Sequence, residues 1–236
     1  MIKFFRKIRQ RLLTENKFSK YLLYAIGEII LVIIGILIAL AINQKNTDRN
    51  NNELRDLYLI QLNDETDLNI KELIEYKNSY IKRVTELDTL FDILVNKDYD
   101  NPKLLSKSTK LYGRLTFNPI MTTYENLKFS GDLKLFSDIE LRNSISETYN
   151  TFNAIKSNEL IDLKVIDVYY QDYYMPNAKL TNLNLSSNNF GKDDYFENTV
   201  SVRRITIRQI IDAYDNSIES LEQLKIIFAD LKIKIN

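Results

Sequence analysis

Residues 21–42, YLLYAIGEIILVIIGILIALAI, constrain this chain more than any other stretch. The segment carries one charge, Glu28, and no proline. A bilayer core about 30 Å thick takes about 20 apolar helical residues, each rising about 1.5 Å. Residues 21–42 are therefore long enough to cross a membrane once. Without everything before Ile29, 14 apolar residues remain, roughly 21 Å of helix and too short for the core. Glu28 is thus expected inside the inner part of the membrane.

Charge gives the orientation. Residues 1–20 hold Lys3, Arg6, Lys7, Arg9, Arg11, Lys17 and Lys20 against Glu15 alone. The far flank, residues 43–52, offers Lys45 and Arg49 against Asp48. Basic residues beside a span stay cytoplasmic. The expectation is an N-terminus inside, a linker over residues 43–52 and a periplasmic domain over residues 53–236. The formal net charge is zero, with 32 basic and 32 acidic residues. Beyond the span the balance is 25 basic against 30 acidic. Net positive charge is confined to the arm, which argues against nucleic-acid binding. Within the arm, Ile2, Phe5, Ile8 and Leu12 fall at helical spacing between basic residues. This amphipathic pattern suits the anionic inner leaflet as well as a plain topogenic charge cluster. The competing reading is a signal peptide cleaved after Ala39-Leu40-Ala41. A signal h-region is about 7–15 residues, shorter than this apolar run.

Tyr24, Gly27, Glu28, Leu31, Gly35 and Ala39 lie near one helical face of the span. Gly35 and Ala39 form a small-xxx-small pair that lets helices approach closely. An embedded carboxylate costs several kcal/mol unless it is neutral, paired or snorkelling. The face is therefore a candidate contact for another membrane helix, from a second copy or a different membrane protein. A further alternative makes Glu28 a proton-responsive group in an ion-driven envelope complex. The plain alternative is a carboxylate that reaches headgroup water.

The chain contains no histidine, cysteine or tryptophan. That excludes His- or Cys-based nucleophiles, zinc sites built on those residues, disulfides and His-ligated haem. The five glycines are scattered and form no phosphate loop. No catalytic, metal or cofactor site is expected, and the chain does not read as an enzyme.

Glycine and proline are rare, and apolar residues recur at helical spacing, so the fold class reads as all-α. The expected architecture is an N-terminal transmembrane helix followed by an elongated antiparallel helical bundle. Residues 48–97 lack Gly and Pro, and Leu73, Tyr80, Leu87 and Leu94 repeat every seven, beside Val84 and Phe91. A break is expected near residues 63–69. Asn101-Pro102 opens a helix to about Phe117, which Asn118-Pro119 ends. Thr122 and Glu125 form a capping box, and Ser130-Gly131 stops the short helix that follows. Ser137 and Glu140 form a second box, opening a helix to about Tyr174. Its expected buried rows are Ile145, Phe152, Ile166, Tyr173 and Leu141, Tyr149, Leu163, Tyr170, leaving Tyr169 and Tyr174 outside. Residues 177–198 read as a polar loop. The last helix begins near Thr199, with Ile207, Tyr214, Leu221, Phe228 and Ile235 as its seam.

The opening MIKFFRKIRQRLL, then NKFSKYLLYAIGEIILVIIGILIALAIN, resembles an uncharacterised family of membrane-anchored proteins widespread in Bacteroidota. Residues 123–149, TYENLKFSGDLKLFSDIELRNSISETY, are similar to that family's second recognisable stretch. Where the family has an aromatic residue after the span, this chain reads Gln44-Lys45-Asn46. The resemblance implies the topology and a Gram-negative inner membrane, and it implies no activity. Tyr124, Glu125, Ser130, Gly131 and Asp132 lie in the second stretch and are a candidate partner surface, although capping and turn geometry already accounts for several of them. The functional expectation is an interaction or structural module in an envelope complex. The alternative is a periplasmic helical-bundle ligand sensor that signals through a partner.

Overall fold

The computed structural model describes residues 18–179, 184–185 and 190–235. The basic arm up to residue 17 lies outside the described residues. The chain is all-α. Among the described residues the exception is a two-residue antiparallel pair, β1 (Ala178–Lys179) with β2 (Asn184–Leu185). Contacts divide the chain into two compact units, Met1–Asp56 and Leu57–Asn236.

Helix α1 (Phe18–Val95) contributes to both units. In the first unit it carries the one segment, among the described residues, long and apolar enough to cross a membrane. Its apolar side chains face outward on all sides, with Leu23 76 % and Leu31 71 % exposed. A helix that is apolar all round belongs in lipid or in a large core.

The second unit is built on three long helices: α1 from Leu57 onward, α4 (Ile139–Tyr169) and α5 (Asp194–Ile235). The sevenfold seams lie in the core: Leu73, Tyr80, Leu87 and Leu94 of α1, and Ile207, Tyr214, Leu221 and Phe228 of α5, are buried. Ion pairs fix the direction. Asp67 with Lys225, Lys77 with Asp215 and Asp88 with Arg204 step in opposite senses along α1 and α5. Asn158 bonds the carbonyl of Gln209 and Thr148 that of Ser220, so α4 also runs antiparallel to α5. Helices α1 and α4 are consequently parallel, and the chain between them has to return the length of the domain.

That return differs from the expected helix. Helix α2 (Lys103–Ser108) passes into a 3₁₀ turn, Thr109–Leu111, and residues 112–121 are extended without regular structure. Asn101 caps α2 as expected, accepting from the Lys103 N–H at 2.9 Å. Gly113, at φ 82°, turns the chain out of the helical path. The extended strap brings the chain back to Tyr58, whose hydroxyl donates to Asp132 at 3.1 Å. Helix α3 (Thr122–Ser130) and a 3₁₀ turn, Asp132–Leu135, complete the return.

Several local expectations shift. The break near residues 63–69 does not occur: the helix runs through, and two of those polar residues bond the returning chain, Asn69 to Ile120 and Glu65 to Thr123. The Thr122 capping box is replaced by a carboxylate from α1: Glu65 accepts the Thr123 N–H at 2.7 Å. The cap of α4 is Asp138, one residue after Ser137, accepting from Glu140 and Leu141. Gly131 stops α3 as expected, in the left-handed conformation at φ 76°. Helix α5 begins at Asp194 rather than Thr199, so the polar loop is shorter; Asp193 caps it by accepting the Phe196 N–H at 2.9 Å. Residues 180–183 and 186–189 of that loop lie outside the described residues. The tyrosine register changes most. Residues Tyr170–Tyr174 form a π-helical turn, whose wider spacing rotates the side chains that follow. Tyr169 and Tyr174 are buried with Tyr173, while Tyr170 is 39 % exposed.

Candidate functional site

The strap explains the buried polar groups of the domain. Extended backbone that leaves water needs partners for each N–H and C=O. Residues 112–121 have no neighbouring strand, so side chains of the long helices supply those partners. Tyr80 donates to the Leu115 carbonyl at 2.8 Å and accepts its N–H at 3.3 Å. Asn69 grips both sides of Ile120, donating to its carbonyl and accepting its N–H, each at 2.8 Å. Glu159 accepts the Phe117 N–H through both oxygens at 3.2 Å, and the Tyr214 hydroxyl as well. Glu65 accepts the Tyr149 hydroxyl at 2.5 Å in addition to its cap on Thr123.

Arg203 closes the upper end of the strap. It is 1 % exposed. Its guanidinium meets Asp162 through Nε at 2.9 Å and Nη2 at 3.1 Å. It also donates to the carbonyls of Leu111 and Gly113. Thr206 donates to Asp162 at 2.7 Å. Every oxygen of the pair is thereby engaged, which an ion pair in a low-dielectric interior requires.

Burial sets the ionisation of this network. It raises the Glu159 carboxyl above the ordinary carboxylate range, and the bonds from Tyr214 and Phe117 oppose that shift. It pushes the Tyr80 phenol up to about 12. Burial lowers the Arg203 guanidinium from its usual value, and Asp162 opposes that shift. These groups hold backbone in place.

The span face lies in the first unit. Gly27, Leu31, Gly35 and Ala39 are exposed, and Tyr24 and Glu28 are half-buried. A Cβ added at Gly27 or Gly35 would meet nothing within 4 Å. The second candidate set is divided. Tyr124 belongs to the core, stacked on Tyr149 with ring centroids 4.4 Å apart. Glu125, Ser130 and Gly131 are exposed, and Asp132 is half-buried under the Tyr58 hydroxyl. Tyr169 at the end of α4 and Tyr170, Tyr173 and Tyr174 of the π-helical turn join Tyr112, Phe190, Tyr195 and Phe196 in a continuous aromatic cluster.

Among the described residues no group of three or more acidic side chains is placed to hold a metal ion. No known protein family, curated protein or solved structure matches the chain.

A groove of about 540 Å³ lies between α1 and residues 109–113, where the 3₁₀ turn enters the strap. Ser79, Lys82, Arg83 and Glu86 form one wall, and Thr109, Lys110, Tyr112 and Gly113 the other. Lys107 pairs with Glu86. Sequence reasoning missed this groove because Lys82 and Lys110 meet only through the tertiary fold. It also missed Glu159 and Arg203. One signal for Glu159 was present: it fills the sevenfold row between Phe152 and Ile166, where an apolar residue is expected.

Proposed function

We propose that this chain is a single-span inner-membrane protein whose helical domain stands in the periplasm and acts as an interaction module in an envelope complex. The observation that carries the proposal is the all-round apolar surface of residues 22–42, directly after an arm rich in lysine and arginine. An apolar segment of that length needs lipid, and the basic arm favours the cytoplasmic side. The second unit has its own core and supplies the exposed surface for contacts. Membership of the Bacteroidota membrane-anchored family, on the residues of the span, is part of the same proposal.

Tyr24, Gly27, Glu28, Leu31, Gly35 and Ala39 are the proposed helix-contact face, for a second copy or another membrane protein. Close approach is open at Gly27 and Gly35. The test uses the full chain in a Gram-negative host. Protease added to intact spheroplasts should degrade the C-terminal domain, and its survival there would refute the topology. A photoreactive residue at Leu31 should crosslink to a membrane protein or second copy, whereas one at Ile33 on the opposite face should not. Equal crosslinking from both positions, or none from either, sinks the contact face. A ligand sensor signalling through a partner is the second reading, favoured by the groove lined with Lys82, Arg83 and Lys110.

A further inference from the structure

We infer that the groove between α1 and the 109–113 turn binds a small multivalent anion carrying phosphate or carboxylate groups. The inference rests on the groove itself and does not depend on the membrane topology.

Three cations line the groove: Lys82, Arg83 and Lys110. Glu86 is the acid on its walls; it is bonded by the ammonium of Lys107 and also feels the charges of Lys110 and Lys103, so cations outnumber it. That bond holds the Glu86 carboxyl below its usual value. Among the described residues neither Lys82 nor Lys110 forms an ion pair. The domain beyond the span is acidic overall, with 25 basic against 30 acidic residues. An excess of positive charge, three cations against one acid on the walls, is therefore concentrated here against the general trend. Its field falls off over about 8 Å at physiological salt, so only groups that enter the groove feel all three cations.

Arg83 is fixed in position before any ligand arrives. Its Nη1 donates to the carbonyls of Lys110 and Tyr112. Among the described residues Nη2 and Nε make no bond to protein, which leaves donors for a planar oxyanion. Gly113 makes this placement feasible. A Cβ at that position would stand 3.0 Å from Nη1 and 3.1 Å from Nη2. The turn opposite is held from beneath by Arg203, which donates to the carbonyls of Leu111 and Gly113. A wall fixed from inside the core and a guanidinium fixed on that wall make a preorganised recess. Lys82 and Lys110, exposed on the two walls, complete the neutralisation of a second and third negative charge. The volume, about 540 Å³, suits a small ligand.

The test uses the full chain in dodecyl maltoside, titrated calorimetrically with sodium pyrophosphate or with citrate at about 0.15 M NaCl. At least one anion should bind with a Kd below about 1 mM, and Lys82→Gln/Lys110→Gln should weaken it about tenfold or more. Both lysines are exposed, so the melting temperature of that variant should stay that of the parent. A control pair, Lys134→Gln/Lys164→Gln, removes the same charge from exposed positions outside the groove and should leave binding unchanged. Binding of pyrophosphate alone assigns a phosphate ligand, and of citrate alone a carboxylate ligand. The inference is overturned if neither anion binds, if the groove variant binds as the parent does, or if the control pair loses affinity equally.

Discussion

Arg203→Met is the substitution that tests the strap most directly. Methionine keeps much of the buried volume and removes five N–H donors. Asp162, 2 % exposed at its side chain, would then be an uncompensated buried carboxylate. Breaking a buried pair from one side costs about 3–5 kcal/mol. The carbonyls of Leu111 and Gly113 lose their donor as well, at about 1 kcal/mol or more each. The total, about 5 kcal/mol, rivals the whole stability of an ordinary domain. For a unit of this size each kcal/mol moves the melting temperature by about 2–4 °C, so a fall of at least about 10 °C is expected. Near-ultraviolet circular dichroism of the full chain in detergent is the assay. The chain has 15 tyrosines and no tryptophan, so the signal reports tyrosine packing and not the helicity of the span. The partner variant is Arg203→Met/Asp162→Leu. It removes the orphan charge and should recover about 2 kcal/mol relative to the single change. A single variant costing under about 1 kcal/mol, or a double variant no better than the single one, would refute the account of Arg203 as the clamp of the strap.

Two further predictions concern the same region. Glu159 has a folded pKa above the ordinary carboxylate range, so the folded state binds more protons than the unfolded chain just above that range, and stability falls as pH rises through the folded value. Glu159→Gln keeps an acceptor for Tyr214 and Phe117 without the charge; melting curves between about pH 4.5 and 8 should be flatter for the variant, and an unchanged pH slope would contradict the assignment. Gly113→Ala combines a left-handed φ with a Cβ 3.0 Å from Arg83, whereas Gly131→Ala has the left-handed φ alone. Both should lose about 1 kcal/mol to backbone strain, with a further loss at Gly113, and chemical denaturation of the two variants side by side shows whether the contact adds to the strain.

The long helices were legible because each presents one apolar row at a fixed period. Leu73 to Leu94 and Ile207 to Phe228 appear as rows in the sequence and as core in the structure. The strap was not legible. Residues 103–117 follow a good Asn-Pro start, and Gly113 is the one local breaker among them, a weak signal because a single glycine costs a helix only about 1 kcal/mol. What ends it is the need to return the chain between parallel α1 and α4, with Tyr80, Asn69, Glu159 and Arg203 supplying backbone hydrogen bonds. Those four residues come from three helices distant in sequence. The tyrosine register at residues 169–174 failed for a local reason, since a π-helical turn shifts the faces that a constant helical period assigns.

The sequence by itself determined the apolar segment with its embedded acid, the all-α class and the seams of α1 and α5. These follow from hydropathy and spacing, which act between near neighbours on the chain. Tertiary structure decided the strap, the cap that Glu65 lends to α3, the burial of Arg203 and the gathering of Lys82, Arg83 and Lys110 about one groove. Each of these is a hydrogen bond or a field between groups far apart in sequence, and only the closed fold brings them within reach.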